Sequence, residues 1–488
     1  MLSKTTLLLA ALLLTACGPD AIFTASGEEE PLESISSGLD SARMLEFLNG
    51  PAATAELLDL EVGLETRAAI NIAQHVRGPD GRLKSADDDL LGSLTELDAI
   101  PYVGAVAMDA INRYVLSLTR TPVPGGSGTG PIRVIRAATI ASVPAGKPAP
   151  GTYRVHMIDV GTGLAILVQG ADFTMLFDGG STDDSRGISS TGNKSRLLAY
   201  LAAALGLSAD PACRPEGDVW PASPSVSPVI NHMFLSHPHQ DHSNMLDEVL
   251  RCYEVQNVWD SGAINDTSSY GQFLSAVAAE RGVNYRTASA PPSNRQVAVW
   301  GQTISFPSSV SWTTFRAGDR TTLGAGATFR VLHANGGYIA NQFNDNSTVL
   351  RLDLGGTSVL LAADAESGLR DSISAPVGEV EAMLLRDYRA DLDVDILQVA
   401  HHGSRTSSRK IFLDAVTPQY ALVSAGPTLN NGGVSFPDVE VIDGLKAARA
   451  QVLRTDEHDS RCPEVNHIGM DDDKAGGCDN YLLEISAR

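Results

Sequence analysis

Positive charge is what this chain is short of: 36 Lys and Arg stand against 58 Asp and Glu in 488 residues, a formal net charge of −22. That balance excludes a broadly basic nucleic-acid surface. It leaves open phosphate binding by backbone amides or metal ions, which need no net positive charge. Long apolar runs are equally scarce. Beyond Cys17 no stretch reaches the ~20 apolar residues that a membrane-spanning helix needs, so the rest of the chain is expected to be soluble or lipid-tethered. Cysteine is rare too. The four beyond Cys17 are Cys213, Cys252, Cys462 and Cys478, an even set suited to pairing in an oxidising compartment. Proximity favours Cys213 with Cys252 and Cys462 with Cys478, among three connectivities.

The first 16 residues hold one lysine and an apolar stretch, the pattern of an export signal rather than a lasting transmembrane helix. Leu14, Thr15, Ala16 and Cys17 resemble the lipobox of bacterial lipoproteins, which implies signal removal and lipidation of Cys17. Gly18 is similar to the outer-membrane variant of that signal. The expected location is the bacterial cell envelope, lipid-anchored at the outer membrane or periplasmic, with membrane contact through the lipid alone. A soluble exported protein is the alternative. Residues 17–42, rich in Ser, Gly and Glu, read as a flexible tether.

The length exceeds one ordinary domain. Residues 43–119 carry apolar positions at three- and four-residue spacing, as in "ETRAAINIAQHV" and "AVAMDAINRYVLSL", and form a small all-α unit. Residues 120–150, opening on "RTPVPGGSGTGP", form a linker. From 151 to 488 short strands such as "LAILVQG" and "FTMLFDGG" alternate with helices such as "NKSRLLAYLAAALG", and Gly355 and Gly356 turn a hairpin. This is the pattern of an α+β enzyme core.

Within the helical unit, "ELDAIPYVGAVAMDAI" resembles a helix-hairpin-helix element, with "LDLEVGLETRAAINI" as a degenerate partner turning at Val62, Gly63 and Leu64. The resemblance implies contact with a DNA backbone through Ile100, Tyr102, Val103 and Gly104, because a glycine turn ahead of a helix exposes unpaired amides. A purely structural bundle or a protein-docking module is the other reading, since acidic residues surround the turns. Asp80, Asp87, Asp88 and Asp89 lack the spacing of a calcium loop and read as a solvated acidic loop.

"FLSHPHQDHSNM", residues 234–245, carries the chemistry. His237 and His239 alternate along an extended segment and lean to one point, while Asp241 and His242 follow where the chain turns into a helix. Imidazoles with a carboxylate suit zinc, or manganese where oxygen donors dominate. The motif resembles the signature of the metallo-β-lactamase fold. With "VHMIDVGTGLAILV", "MLFDGG", "NDNSTVLRLDLGGTSVLLAADAE" and "VAHHGSRTS" in order, residues 153–455 resemble the hydrolase domain of ComEC competence proteins.

The resemblance implies a four-layer αββα fold and a centre for one or two divalent ions. His237 and His239 would serve one ion, Asp241 and His242 the other, with Asp364 bridging and either His401 or His402 as the late ligand. Asp241 is also the candidate proton acceptor. Asp159 and Asp178 would orient ligands or their turn, and Asn346, Ser347, Thr348 and Ser404 would meet substrate phosphate, a capped strand start being the plainer reading of 346–348. There are departures. The family's "DVGQGD" ends here in Leu164, its late histidine–proline step is Phe436–Pro437, and no middle histidine completes the first site, His333 being expected at the surface. A single firmly bound ion beside a weaker one is therefore an alternative to a paired centre. The expected function is hydrolysis of DNA or another phosphodiester outside the cytoplasm. Small-molecule hydrolysis and non-catalytic metal or DNA binding are the alternatives.

Overall fold

The computed structural model describes residues 38–487 apart from short stretches and single positions, the longest being 116–131, 336–341 and 471–476. The export signal, Cys17 and most of the tether lie outside the described residues. So do Gly63, Asp80 and residues 120–131 of the linker. Two compact units emerge, Met1–Arg120 and Thr121–Arg488.

The first unit is helical, with helices Gly38–Leu48, Ala55–Leu60, Thr66–Arg77 and Leu94–Asp98. Thr66–Arg77 buries Ala68, Ala69, Ile72, Ala73 and Val76, one stripe at helical spacing, against Met44, Leu58 and Leu97. Ser93 caps the last of these helices by accepting from the Glu96 amide, while Glu96 accepts from Gly92 N at 2.7 Å.

The second unit is built on two large sheets. In the nine-stranded sheet, Thr152–Met157, Gly163–Gln169 and Thr174–Ser181 are antiparallel neighbours, and Val229–Leu235, Glu254–Asp260 and Asn284–Thr287 continue in parallel. The C-terminal strand Tyr481–Ser486 inserts between Ile132–Arg136 and Thr152–Met157. The seven-stranded sheet runs in chain order from Arg320–Gly324 to Gln451–Arg454, antiparallel at first and parallel from Thr357–Leu361 onward.

Side-chain alternation then sets the layers. Ile166, Val168, Met175 and Phe177 of one sheet meet Phe329, Val331, Leu350 and Leu352 of the other in a shared core. The opposite face of the first sheet, with Leu167, Leu176 and Met233, is covered by helices Arg196–Leu205, Leu246–Cys252 and Ser268–Ala279. Leu360, Leu397 and Ala421 face helices Glu379–Asp387, Lys410–Val416 and Val439–Ala447 on the other side. The result is the expected αββα arrangement. Because both faces of each sheet are covered, the central strands read as continuous apolar runs rather than alternating ones. The disulfides Cys213–Cys252 and Cys462–Cys478 both form, with Cα separations of 5.7 and 5.8 Å.

Candidate metal centre

Three strands, one from the first sheet and two from the second, deliver the centre at their C-terminal ends. Val229–Leu235 leads to His237, Thr357–Leu361 to Asp364 and Ile396–Gln398 to His401 and His402. Four non-glycine backbones here are left-handed: Asp178 (φ 58°), Ala363 (50°), His401 (49°) and His402 (55°). Such conformations persist only where the surrounding packing enforces them, and they cluster at functional sites. The turn also depends on glycine. A Cβ on Gly180 would collide with the amide nitrogen of His242, so the last glycine of "MLFDGG" is there because the histidine turn lies directly against it.

Two ligand groups converge. His237, His239 and Asp364 offer atoms within 4.8 Å of one another, and so do Asp241, His242 and His402. Asp364 Oδ2 stands between them, 3.2 Å from His242 Nε2, 3.5 Å from His402 Nε2 and 3.8 Å from His237 Nε2. His402 Nε2 also lies 3.3 Å from Asp241 Oδ2. The adjacent histidines divide their roles. His402 donates Nδ1–H to the Ser424 carbonyl at 2.8 Å and turns Nε2 inward. His401 directs Nδ1 to Thr406 Oγ1 (2.8 Å) and Glu366 (3.0 Å), with Nε2 4.0 Å from Asp364.

Asp178 orients the cluster from behind. Its Oδ2 takes His242 Nδ1–H at 2.8 Å and the Ser236 hydroxyl at 2.7 Å, and its Oδ1 takes the Ser236 amide. Ser236 Oγ in turn receives His237 Nδ1–H at 3.1 Å, which leaves Nε2 of both histidines facing the centre. This is the outer arrangement that fixes metal-binding tautomers.

The donor set fits divalent cations. His242 Nε2, His402 Nε2 and Asp364 Oδ1 are buried without a hydrogen-bond partner, a costly state for polar atoms unless a cation engages them. The electrostatics agree. Burial holds His237 well below the ordinary histidine range. For His402, burial opposes charge, yet Asp364 and Asp241 push its pKa up to about 10, and His242 is raised by Asp364 and Asp178. Against their own burial, Asp364 and Asp241 are held low by these imidazoles.

The remaining expected residues are placed differently. Asp159 bonds to backbone amides. Its Oδ2 receives the amides of Gly477 and Asp479 and its Oδ1 that of Gly161, so it pins the tail to the turn after Thr152–Met157. Asn346, Ser347 and Thr348 are buried, and Ser347 Oγ receives the Asp364 amide at 3.2 Å. Ser404, also buried, accepts from Arg370 Nη1 at 3.0 Å. His333, expected at the surface, is 6% exposed, its Nδ1 2.6 Å from the Ser347 carbonyl. Leu164 lies in the apolar core between the sheets, where an acid would have no partner. Phe436 packs against His401 and His402, ring centroids 5.3 and 6.4 Å apart, while Phe343 meets His239 at 5.5 Å. Sequence reading missed Ser236, Ser424, Glu366 and Phe343. Only Ser236, adjoining the motif, left a signal.

In the helical unit, Ile100 and Val103 are buried and their amides are bonded within the turn, to Leu97 O at 3.2 Å and Ile100 O at 3.0 Å. Tyr102 is exposed beneath the Arg67 guanidinium, 4.3 Å from its ring centroid, and a Cβ on Gly104 would meet nothing within 4 Å.

The layered sheets are an αββα sandwich of the metallo-β-lactamase fold class, and the donor set is a candidate centre for divalent ions. Comparison with known proteins adds distant similarity to competence proteins. Competence protein ComA of Neisseria gonorrhoeae is 33% identical over 113 residues, 23% of this chain and 14% of that protein. Recombination protein 2 of Haemophilus influenzae is 25% identical over 305 residues, 62% of this chain and 28% of that protein. ComE operon protein 3 of Bacillus subtilis is 32% identical over 115 residues, 24% and 13% of the two chains. The matches thus span well under a third of these relatives' own length. No family model matches the chain. Among solved structures, the metallo-β-lactamase fold protein YhfI of Bacillus subtilis aligns with a TM-score of 0.33 at 12% identity, over 62% of this chain and 97% of that one. Among the described residues no helix is long and apolar enough to cross a membrane.

Proposed function

We propose that this chain is a metal-dependent phosphodiesterase acting on nucleic acid outside the cytoplasm, tethered to the bacterial envelope through Cys17. The observation that carries the reading is Asp364, whose Oδ2 lies within 3.8 Å of His237, His242 and His402 and so serves both ligand groups. A carboxylate shared in this way suits a two-ion centre for phosphoryl transfer. His237, His239 and Asp364 would hold one ion, and Asp241, His242 and His402 the other, with zinc and manganese both compatible with the donors. Ions there would act as Lewis acids toward a phosphoryl oxygen and toward water.

The protein's own groups do the rest. Asp178 and Ser236 hold His242 and His237 in the tautomers that face the centre. Asp241, with a side chain 21% exposed against 2% for Asp364, is the carboxylate that reaches solvent and accepts a proton from the attacking water. Phe343 stands against His239 and Phe436 against His401 and His402, rings on which a base or sugar would pack. The names of the relatives, competence and recombination, favour DNA as the substrate. The helical unit would then hold the DNA backbone at the turn of Tyr102 and Gly104.

A small-molecule ester or phosphodiester is the second reading. It is favoured by the net charge of −22, which repels long polyanions. The test incubates the purified protein with labelled single- and double-stranded DNA, cyclic dinucleotides and nitrocefin, with added manganese or zinc. DNA cleavage lost in Asp241→Ala and Asp364→Ala supports the first reading. Cyclic dinucleotide or nitrocefin turnover without DNA cleavage selects the second, and DNA left intact under every metal condition sinks the first.

A further inference from the structure

A second cluster of carboxylates stands beside the centre and outside its ligand groups. One oxygen each from Asp345, Glu366 and Glu379 lies within 4.8 Å of the other two. Three separate segments supply them: the turn Asn344–Asn346 ahead of strand Val349–Leu354, the loop after Asp364, and the first position of helix Glu379–Asp387. Carboxylates so close repel one another unless a proton or a cation is shared among them.

Asp345 adds an observation of its own. It is 3% exposed, and its Oδ1 is buried without a hydrogen-bond partner. Leaving a carboxylate oxygen in that state is costly, so the atom is matched to something the polypeptide does not supply. The side chain also shares a hydrogen bond with Glu379, which leaves Oδ1 as the unmatched oxygen. Next to it, Asn344 Oδ1 is likewise buried and unpartnered, a neutral oxygen of the kind that completes a cation cage.

We propose that Asp345, Glu366 and Glu379 hold a calcium ion at a site separate from the histidine centre. Oxygen donors alone select a hard cation, and carboxylates drawn from a turn, a loop and a helix start suit the variable coordination of calcium better than the strict octahedron of magnesium. The absence of nitrogen and sulfur donors from the trio sets it apart from the zinc chemistry of the neighbouring centre. The two sites communicate through one side chain. Glu366 accepts from His401 Nδ1 at 3.0 Å, and His401 Nε2 faces Asp364 at 4.0 Å, so a cation on Glu366 fixes the His401 ring beside Asp364. Glu366 is thereby a positioning residue. The inference does not depend on which substrate the histidine centre hydrolyses.

The test titrates calcium chloride into the purified, zinc-loaded, calcium-free full chain, following heat of binding and Tm. One calcium per chain and a Tm that climbs with calcium concentration are expected. Asp345→Asn, nearly isosteric, and Glu379→Gln, at an exposed position, each weaken calcium binding by about tenfold or more with zinc content unchanged. Absence of calcium binding by the unaltered chain overturns the proposal. So does binding that survives undiminished in both variants, because the ion then sits elsewhere.

Discussion

His156 and His402 are both buried, yet the protein treats them in opposite ways. His156 lies under helix Arg196–Leu205, with Nδ1 receiving the Tyr200 hydroxyl at 3.0 Å and Nε2–H given to Gln169 Oε1 at 2.9 Å. With neutral partners, burial dominates and its pKa falls to about 3. His402 has Asp364 and Asp241 in front of it and is raised to about 10. Burial alone therefore makes a core histidine, and buried carboxylates make a cation site.

The largest test of that contrast removes the shared carboxylate. Asp364→Ala should abolish binding of a divalent ion by one group and weaken it in the other, with hydrolysis down by about a thousandfold or more, checked by metal analysis and turnover. Asp178→Asn leaves every candidate ligand in place but loses the carboxylate oxygen behind His242, which also holds the Ser236 hydroxyl that supports His237. It should cost about 10–100-fold in metal affinity, measured by competition with a chromophoric chelator. An effect no larger than that of a surface substitution would show that Asp178 does not orient the ligands.

His156 supplies the opposite arm. Its folded-state pKa is depressed, so the neutral form contributes stability that is present above pH 6.5 and is lost as the pH falls from 6.5 toward 3. Chemical denaturation at pH 7 and pH 5 should register a loss of about 1–2 kcal/mol from this residue, and His156→Gln should remove that increment. The smallest effect concerns the helical unit. Deleting residues 43–119 should leave metal content and small-substrate turnover unchanged while lowering DNA affinity about threefold to tenfold. Unchanged DNA affinity in an electrophoretic shift assay would end its proposed role as a backbone holder.

How much of the centre was legible depended on chain distance. His237, His239, Asp241 and His242 sit within six positions, and an extended segment entering a helix brings them together by local geometry alone. Asp364 lies more than a hundred residues away and was legible only through resemblance. The choice between His401 and His402 was closed to sequence reading, because the residues are identical neighbours. In the structure the Ser424 carbonyl takes His402 Nδ1, so that Nε2 faces Asp241 and Asp364. Asp159 and Asp178 looked alike as strand-end acids. They part because one meets the amides of the C-terminal segment and the other meets Ser236 and His242. His333 was misjudged for a related reason: a lone histidine beside a glycine pair reads as surface, and only the packed Ser347 carbonyl shows it buried.

By itself the sequence determined the alternation of strand and helix, the turn glycines, the acidic balance and the contiguous half of the ligand set, because each is a matter of residue type and local spacing. The tertiary structure decided which acids face the candidate metal centre, which histidine turns Nε2 toward it, and that Asp345, Glu366 and Glu379 share one corner. Charge becomes chemistry only where distant segments exclude water and meet, and that is a property of the packed sheets rather than of any one stretch.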